Sequence, residues 1–245
     1  LVLPTIDRSA ISNNIGMIEE SIPGISFEGD RGKWFYRTGV FTAGSANSYF
    51  GRFDAGTIGF VSTGWHFDEQ WGLDKAFVRL DVLVQSDDPQ NSTGLPQSFS
   101  RNHDHAVSLS GQFAQGPWTL NIDLAASEGN GTQSDLKGIE FEPIYNFNED
   151  WQLVFRYTYL QSKLANGIYP IRYEGWVTPE RGDRYQEYYL GVNRYFYGHK
   201  LKWMLAVEHA HQHLHGLLGR FHAQRAVAGH RQAEVFRVNF IFSKV

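Results

Sequence analysis

The feature that most constrains this chain is a two-residue alternation of apolar and polar side chains that recurs along most of its length. In the run that starts at Trp151, the residues Trp151, Leu153, Phe155, Tyr157 and Tyr159 share one face, while Gln152, Arg156 and Thr158 take the other. This is the period of a strand with two unlike faces. Trp118, Leu120, Ile122 and Leu124 oppose Thr119, Asn121 and Asp123, and Leu201, Trp203, Leu205 and Val207 oppose Lys202 and Glu208. Val78, Leu80, Val82 and Val84 oppose Arg79, Asp81 and Gln85, and Phe236, Val238, Phe240 and Phe242 oppose Arg237 and Asn239. Such runs predict eleven strands, at 24–30, 33–42, 56–66, 74–86, 104–113, 117–127, 136–147, 151–162, 184–197, 199–211 and 232–242. Most are as long as the roughly nine to eleven residues that carry a tilted strand through hydrocarbon, against about five or six for an ordinary soluble strand.

The connections sort by length. Short ones at 31–32, 67–73, 114–116, 148–150 and 198 alternate with long ones at 43–55, 87–103, 128–135, 163–183 and 212–231, rich in Gly, Ser, Asn, Asp, Pro or His. Outer-membrane barrels have short periplasmic turns and longer external loops, and a soluble sandwich has no reason to sort loops by end. Trp71, Trp118 and Trp151 fall beside short turns, where an aromatic girdle at the inner interface is expected. Filling one core with the apolar phase of eleven long strands would make that core very thick. The pattern therefore predicts an all-β, antiparallel transmembrane β-barrel over residues 1–245, a single domain with its apolar phase against lipid, its polar phase lining a wet lumen, and no open edge.

On this reading the lumen phase carries Lys33, Arg37, Lys75, Arg79, Arg156, Lys200, Lys202 and Arg237, with Glu28, Asp30, Asp81, Asp123, Glu140, Glu142, Glu187 and Glu208 opposite them in sign. The numbers are equal, so they set up a transverse field without declaring a preferred ion. Lys137 and Arg194 fall in the lipid phase near strand ends, from which long side chains reach the interface. The formal charge of −4 argues against a nucleic-acid-binding face, and the absence of Cys excludes disulfides, thiolate metal sites and cysteine nucleophiles. The chain has no G-x-S-x-G, H-E-x-x-H or P-loop pattern, and neither enzymatic activity nor a cofactor is expected. His209, His211, His213 and His215 alternate, so two of them could share a metal. With no carboxylate evident nearby, a solvated loop through His222 and His230 is the expected reading and no metal site is assigned.

Eleven is an odd count where single-chain bacterial barrels use an even one. The first run descends from the long-loop side, so residues 1–4 read as the end of an ascending strand, and 5–23 as a long external or inward-folded loop. The stretch Tyr188-Tyr-Leu-Gly-Val-Asn-Arg-Tyr195 with His199-Lys-Leu-Lys202 resembles the late hairpin of the phosphate-selective porin O and P family. Met17-Ile-Glu-Glu-Ser21 and Arg37-Thr-Gly-Val-Phe41 resemble its segment before the middle strands and the strand that follows. That resemblance implies the C-terminal part of a sixteen-stranded, trimeric outer-membrane channel for anions such as phosphate, with the N-terminal strands missing from this sequence. It makes 5–23 the constriction loop, placing Asp7, Arg8, Glu19 and Glu20 at the narrowest point. One Arg among three acids departs from the several basic residues expected there, which favours general diffusion over phosphate specificity.

The function expected is passive passage of small hydrated ions or solutes through the bacterial outer membrane. Steering falls to Arg37, Lys75, Arg79, Arg156, Lys200, Lys202 and Arg237, and the partners are outer-membrane lipid and two further copies of the chain. The alternatives are a non-conducting barrel that anchors or scaffolds an envelope complex and a soluble all-β binding protein.

Overall fold

The computed structural model describes residues 4–5, 9–16, 24–42, 57–86, 102–170, 180–196, 201–215 and 230–244. Its strands are β1 (Gly24–Arg31), β2 (Trp34–Thr42), β3 (Thr57–His66), β4 (Lys75–Gln85), β5 (His103–Gln115) and β6 (Trp118–Gly129), then β7 (Leu136–Asn146), β8 (Trp151–Ser162), β9 (Gly182–Tyr195), β10 (Leu201–His215) and β11 (His230–Lys244). They form one antiparallel sheet in chain order, each strand paired with the next. The eleven alternating runs are the eleven strands, displaced by a few residues at their ends. The largest differences are at β10 and β11, which stay paired out to His215 and His230, so His213 and His215 belong to a strand and not to a loop. The 67–73 connection holds a single helical turn, α2 (Asp68–Trp71), ended by Gly72 at φ 64, a left-handed position that suits glycine. Among the described residues no helix is long and apolar enough to cross a membrane.

The burial pattern is inverted relative to a soluble protein. Along β8 and β9 the residues Val154, Arg156, Thr158, Leu160, Tyr185, Glu187, Tyr189 and Asn193 are buried, while Tyr188 and Leu190 on the opposite phase are about half exposed. The same holds elsewhere: Val61, Leu80, Val84, Leu109, Leu124 and Phe141 are exposed while Ser62, Glu142, Lys202 and Glu208 are buried. The apolar phase thus points away from the face that carries the remaining element, α1 (Ala10–Asn14).

That short helix shows how the sheet bends. It packs on β7 and β8, bonds to β5 through His103, and lines a cavity in common with β2. Six inter-strand spacings separate β2 from β8, roughly 29 Å if flat, whereas a five-residue helix is only about 7.5 Å long. The sheet must curl around it. β1 and β11 end the order and, among the described residues, are not paired with each other, so the closed edge expected from the sequence is not seen within this part of the chain.

At the short-turn end aromatic rings form a belt. Trp71 stacks on Phe67 and Phe113 with centroids 4.9 and 5.8 Å apart, Trp118 packs on Tyr145 at 4.6 Å, and Trp151 meets Trp203 edge-on at 6.3 Å. The Arg194 guanidinium sits over Trp151 and Phe196, so this outward-facing cation is held by ring faces.

Candidate functional site

The inner face is divided in two by the N-terminal segment. Over β7–β9 that segment lies directly on the wall. Asn193 Nδ2 donates to the Pro4 carbonyl (2.7 Å), and the Arg156 guanidinium donates to Thr5 Oγ1 (3.1 Å). Pro4 therefore rests against β9 and is not the end of an ascending strand; residues 1–3 lie outside the described residues. Further on, Ser9 caps α1 by accepting from the Ser12 N–H, and its hydroxyl bonds to Glu140. At the long-loop end Asn14 ties the segment to the wall. Its carbonyl accepts from His103 Nε2 (2.8 Å), and its side chain exchanges hydrogen bonds with the Tyr169 backbone. The described residues of the segment run from the short-turn end at Pro4 to the long-loop end at Asn14 and lie on the inner face; residues 6–8 and 17–23 of the expected external or inward-folded loop lie outside the described residues.

Beneath it lies a charged network. Arg156 donates through Nε (2.8 Å) and a terminal nitrogen (2.5 Å) to Glu187 Oε1, Tyr185 donates to Glu187 Oε2 (2.9 Å), and Arg156 also faces the Tyr189 ring. Asn121 bonds Glu142 (2.9 Å) and receives a bond from Gln112 (2.8 Å). Arg156 and Glu187 have side chains 2% and 0% exposed, so this pair is dry in its present state rather than facing open water. Thr5, bonded to Arg156 from across the interior, and the Tyr185 and Tyr189 side chains lie against the pair, and no alternation pattern records the Thr5 contact. An apolar patch on the same face anchors α1: Ala10, Ile11 and Ile15 cluster with Ala106, Ala125, Leu136, Leu160, Tyr185 and Ala210.

Over β2–β6 the face is open. A cavity of about 660 Å³ is walled by Ile11 and Ile15 on one side and by Arg37, Ser62, Arg79, Asp81, Ser108 and Asp123 on the other. Arg79 Nε bonds Asp81 (2.8 Å), Ser108 donates to Asp123 (2.5 Å), and Arg37 lies 3.9 Å from Glu28. Two cations and two carboxylates line this space, so its formal charges cancel.

The residues singled out in the sequence fall as follows. Arg37 and Arg79 line the cavity. Lys75 is exposed at the start of β4, 5.4 Å from the Phe77 ring. Arg156 and Lys202 are buried on the inner face. Arg237 lies opposite Glu208 in the ladder. Lys200, Asp7, Arg8, Glu19 and Glu20 lie outside the described residues. The structure adds Asp81, Asp123, Asn193 and His103 as residues that shape the interior. Asp81 and Asp123 were visible as lumen-phase acids; Asn193 stood in the hairpin motif without an assigned role, and nothing in the sequence marked His103. His213 Nδ1 lies 2.7 Å from Asp183, a carboxylate brought in by β9 that the linear run does not reveal.

No family model matches the chain, and no curated protein matches it in sequence. Among solved structures the chain is similar to the outer membrane channel DcaP of Acinetobacter baumannii, with a TM-score of 0.52 and 9% sequence identity over 90% of this chain. It spans 61% of the length of that channel chain, and the likeness is one of fold: a porin-like antiparallel sheet.

Proposed function

We propose that this chain forms much of the wall of a bacterial outer-membrane porin through which small hydrated solutes diffuse passively. The observation that carries this reading is the inverted burial, Glu187 and Arg156 inside and Leu190 and Tyr188 outside, on a curled meander of long strands. A lipid surroundings makes that arrangement favourable, because an apolar outer face needs hydrocarbon and polar inner groups need partners or water. The fold likeness to an outer membrane channel supports it. The resemblance to the porin O and P family extends the proposal to sixteen strands, closure by strands beyond this sequence, and assembly as a homotrimer. No covalent chemistry is assigned. The balanced charges of the cavity favour solutes without a strong sign preference over phosphate in particular.

Planar-bilayer recording tests this. The full-length protein should give discrete conductance steps; bilayers that stay silent with folded protein present sink the channel. A second reading, a non-conducting barrel that anchors an envelope complex, is favoured by one observation, the segment packed over β7–β9. Silent bilayers with a stoichiometric co-purifying partner would select it.

A further inference from the structure

On the outward face of β7, β8 and β9 the surface changes character at a single cross-strand row near the long-loop end. Below the row the wall is apolar, with Ile139, Phe141, Tyr188 and Leu190 each between 38% and 51% exposed. Tyr157 packs at a tilt against Tyr188 in the same wall, ring centroids 5.1 Å apart. In the row itself Lys137 pairs with Gln161 and Gln161 pairs with Arg184, so the three side chains stand side by side, about 5 Å between neighbours.

Both cations are exposed, and among the described residues neither meets a carboxylate. Their neighbours differ. Lys163 is paired with Asp135 at 2.8 Å, His213 with Asp183, and at the opposite end of the sheet Arg194 lies on aromatic rings. Gln161 is oriented as well: Tyr159 donates to its Oε1 at 3.5 Å, which leaves the amide N–H groups to bond elsewhere.

We propose that Lys137, Gln161 and Arg184 bind the phosphate of an anionic lipid whose acyl chains lie along the apolar wall beneath. Two cations and an amide donor match a phosphate's charge and its acceptor oxygens. The ten residue steps from Trp151 to Gln161 measure about 33 Å along the strand, enough wall for a full acyl chain. Free inorganic phosphate would find only the three side-chain tips, without the wall.

The inference rests on the bilayer placement proposed above, and its test reads lipid rather than current. Native mass spectrometry of the detergent-solubilised full-length protein is titrated with phosphatidylglycerol and, separately, phosphatidylcholine. The expected result is retention of phosphatidylglycerol in preference to phosphatidylcholine. Lys137→Gln with Arg184→Gln should weaken it roughly thirtyfold, taking about fivefold per cation near a surface. The charge-keeping pair Lys137→Arg with Arg184→Lys should restore it, and Arg194→Gln, on the same outward face at the other end of the sheet, should leave it unchanged. Equal retention of the two lipids overturns the proposal, as does undiminished phosphatidylglycerol binding in the double Gln variant. So does displacement by millimolar inorganic phosphate, which would mark a site for the free anion. Conductance is scored on the same samples: silent bilayers with selective lipid retention defeat the channel and leave this inference standing, and the converse result does the reverse.

Discussion

The two halves of the inner face solve one problem differently. Over β2–β4 the charged side chains keep water: Arg37 is 53% and Arg79 43% exposed, beside an open cavity. Over β7–β9 the same kind of side chain is sealed, with Arg156 and Glu187 bonded to each other and to Tyr185 and Thr5. Exposed pairs contribute little to stability, whereas removing one member of a buried pair strands the other without solvation. The comparison teaches that position in the alternation decides which face a charge takes, but what lies across the interior decides whether it is a solvated wall group or a structural one.

The most severe way to break this contrast is Arg156→Ala. It leaves Glu187 buried without its cation and should cost about 3–5 kcal/mol, read as an earlier thermal unfolding of the detergent-folded protein. Arg79→Ala, on the open half, should cost under about 1 kcal/mol; equal losses at the two sites would erase the distinction.

Gly138→Val comes next. A Cβ at Gly138 would lie 2.9 Å from the Tyr159 carbonyl and 3.0 Å from the Ile11 side chain, so the bulk falls where α1 is seated. Overpacking of this kind costs roughly 1–3 kcal/mol. It should also lift the N-terminal segment, raising single-channel conductance and exposing residues 4–16 to protease. Unchanged conductance with a faster-cleaved N-terminus would show that the segment does not limit the path.

Arg79→Glu sharpens the open half alone. The cavity then carries one cation against three carboxylates, and reversal potentials in a salt gradient should move toward cations with little change in melting temperature.

The smallest effect belongs to the rim. The hydrogen bond from Lys163, helped by the Gly129 N–H, holds the Asp135 carboxyl below its ordinary value, and Asp135 in turn raises the Lys163 ammonium. A lowered carboxyl stabilises the fold above about pH 4 and loses that contribution as pH falls through the folded value; the raised ammonium contributes below about pH 10.5 and loses it as pH rises. Asp135→Asn should therefore lower the melting temperature slightly at pH 7 and not at pH 3. A difference that persists in acid would assign it to packing instead.

The contrast also marks what could be read from the residues. All eleven strands were legible, because a two-residue period survives any ignorance of tertiary context, as in Trp151 through Tyr159. The aromatic belt was legible in part, since Trp71, Trp118 and Trp151 sit at turns, but their partners Phe113, Tyr145 and Trp203 come from neighbouring strands. The anchoring patch was not. Ala106, Leu136, Leu160 and Ala210 occupy polar-phase positions, where isolated apolar residues look like noise until α1 brings them together. Nor was the cover on Arg156, which arrives from 151 residues away.

Pairing in strict chain order has a further consequence for how the protein is made. Each hairpin can zip onto the last, so the ladder grows through contacts between adjacent segments and pays little loop-closure entropy at any step. Pro4 and Thr5, by contrast, meet partners 189 and 151 positions away. The segment that fills the middle is therefore the last piece to dock, after the surrounding palisade stands. Pulse-labelling hydrogen exchange would show amides of β8 and β9 protected before those of α1, and the opposite order would refute this sequence of events.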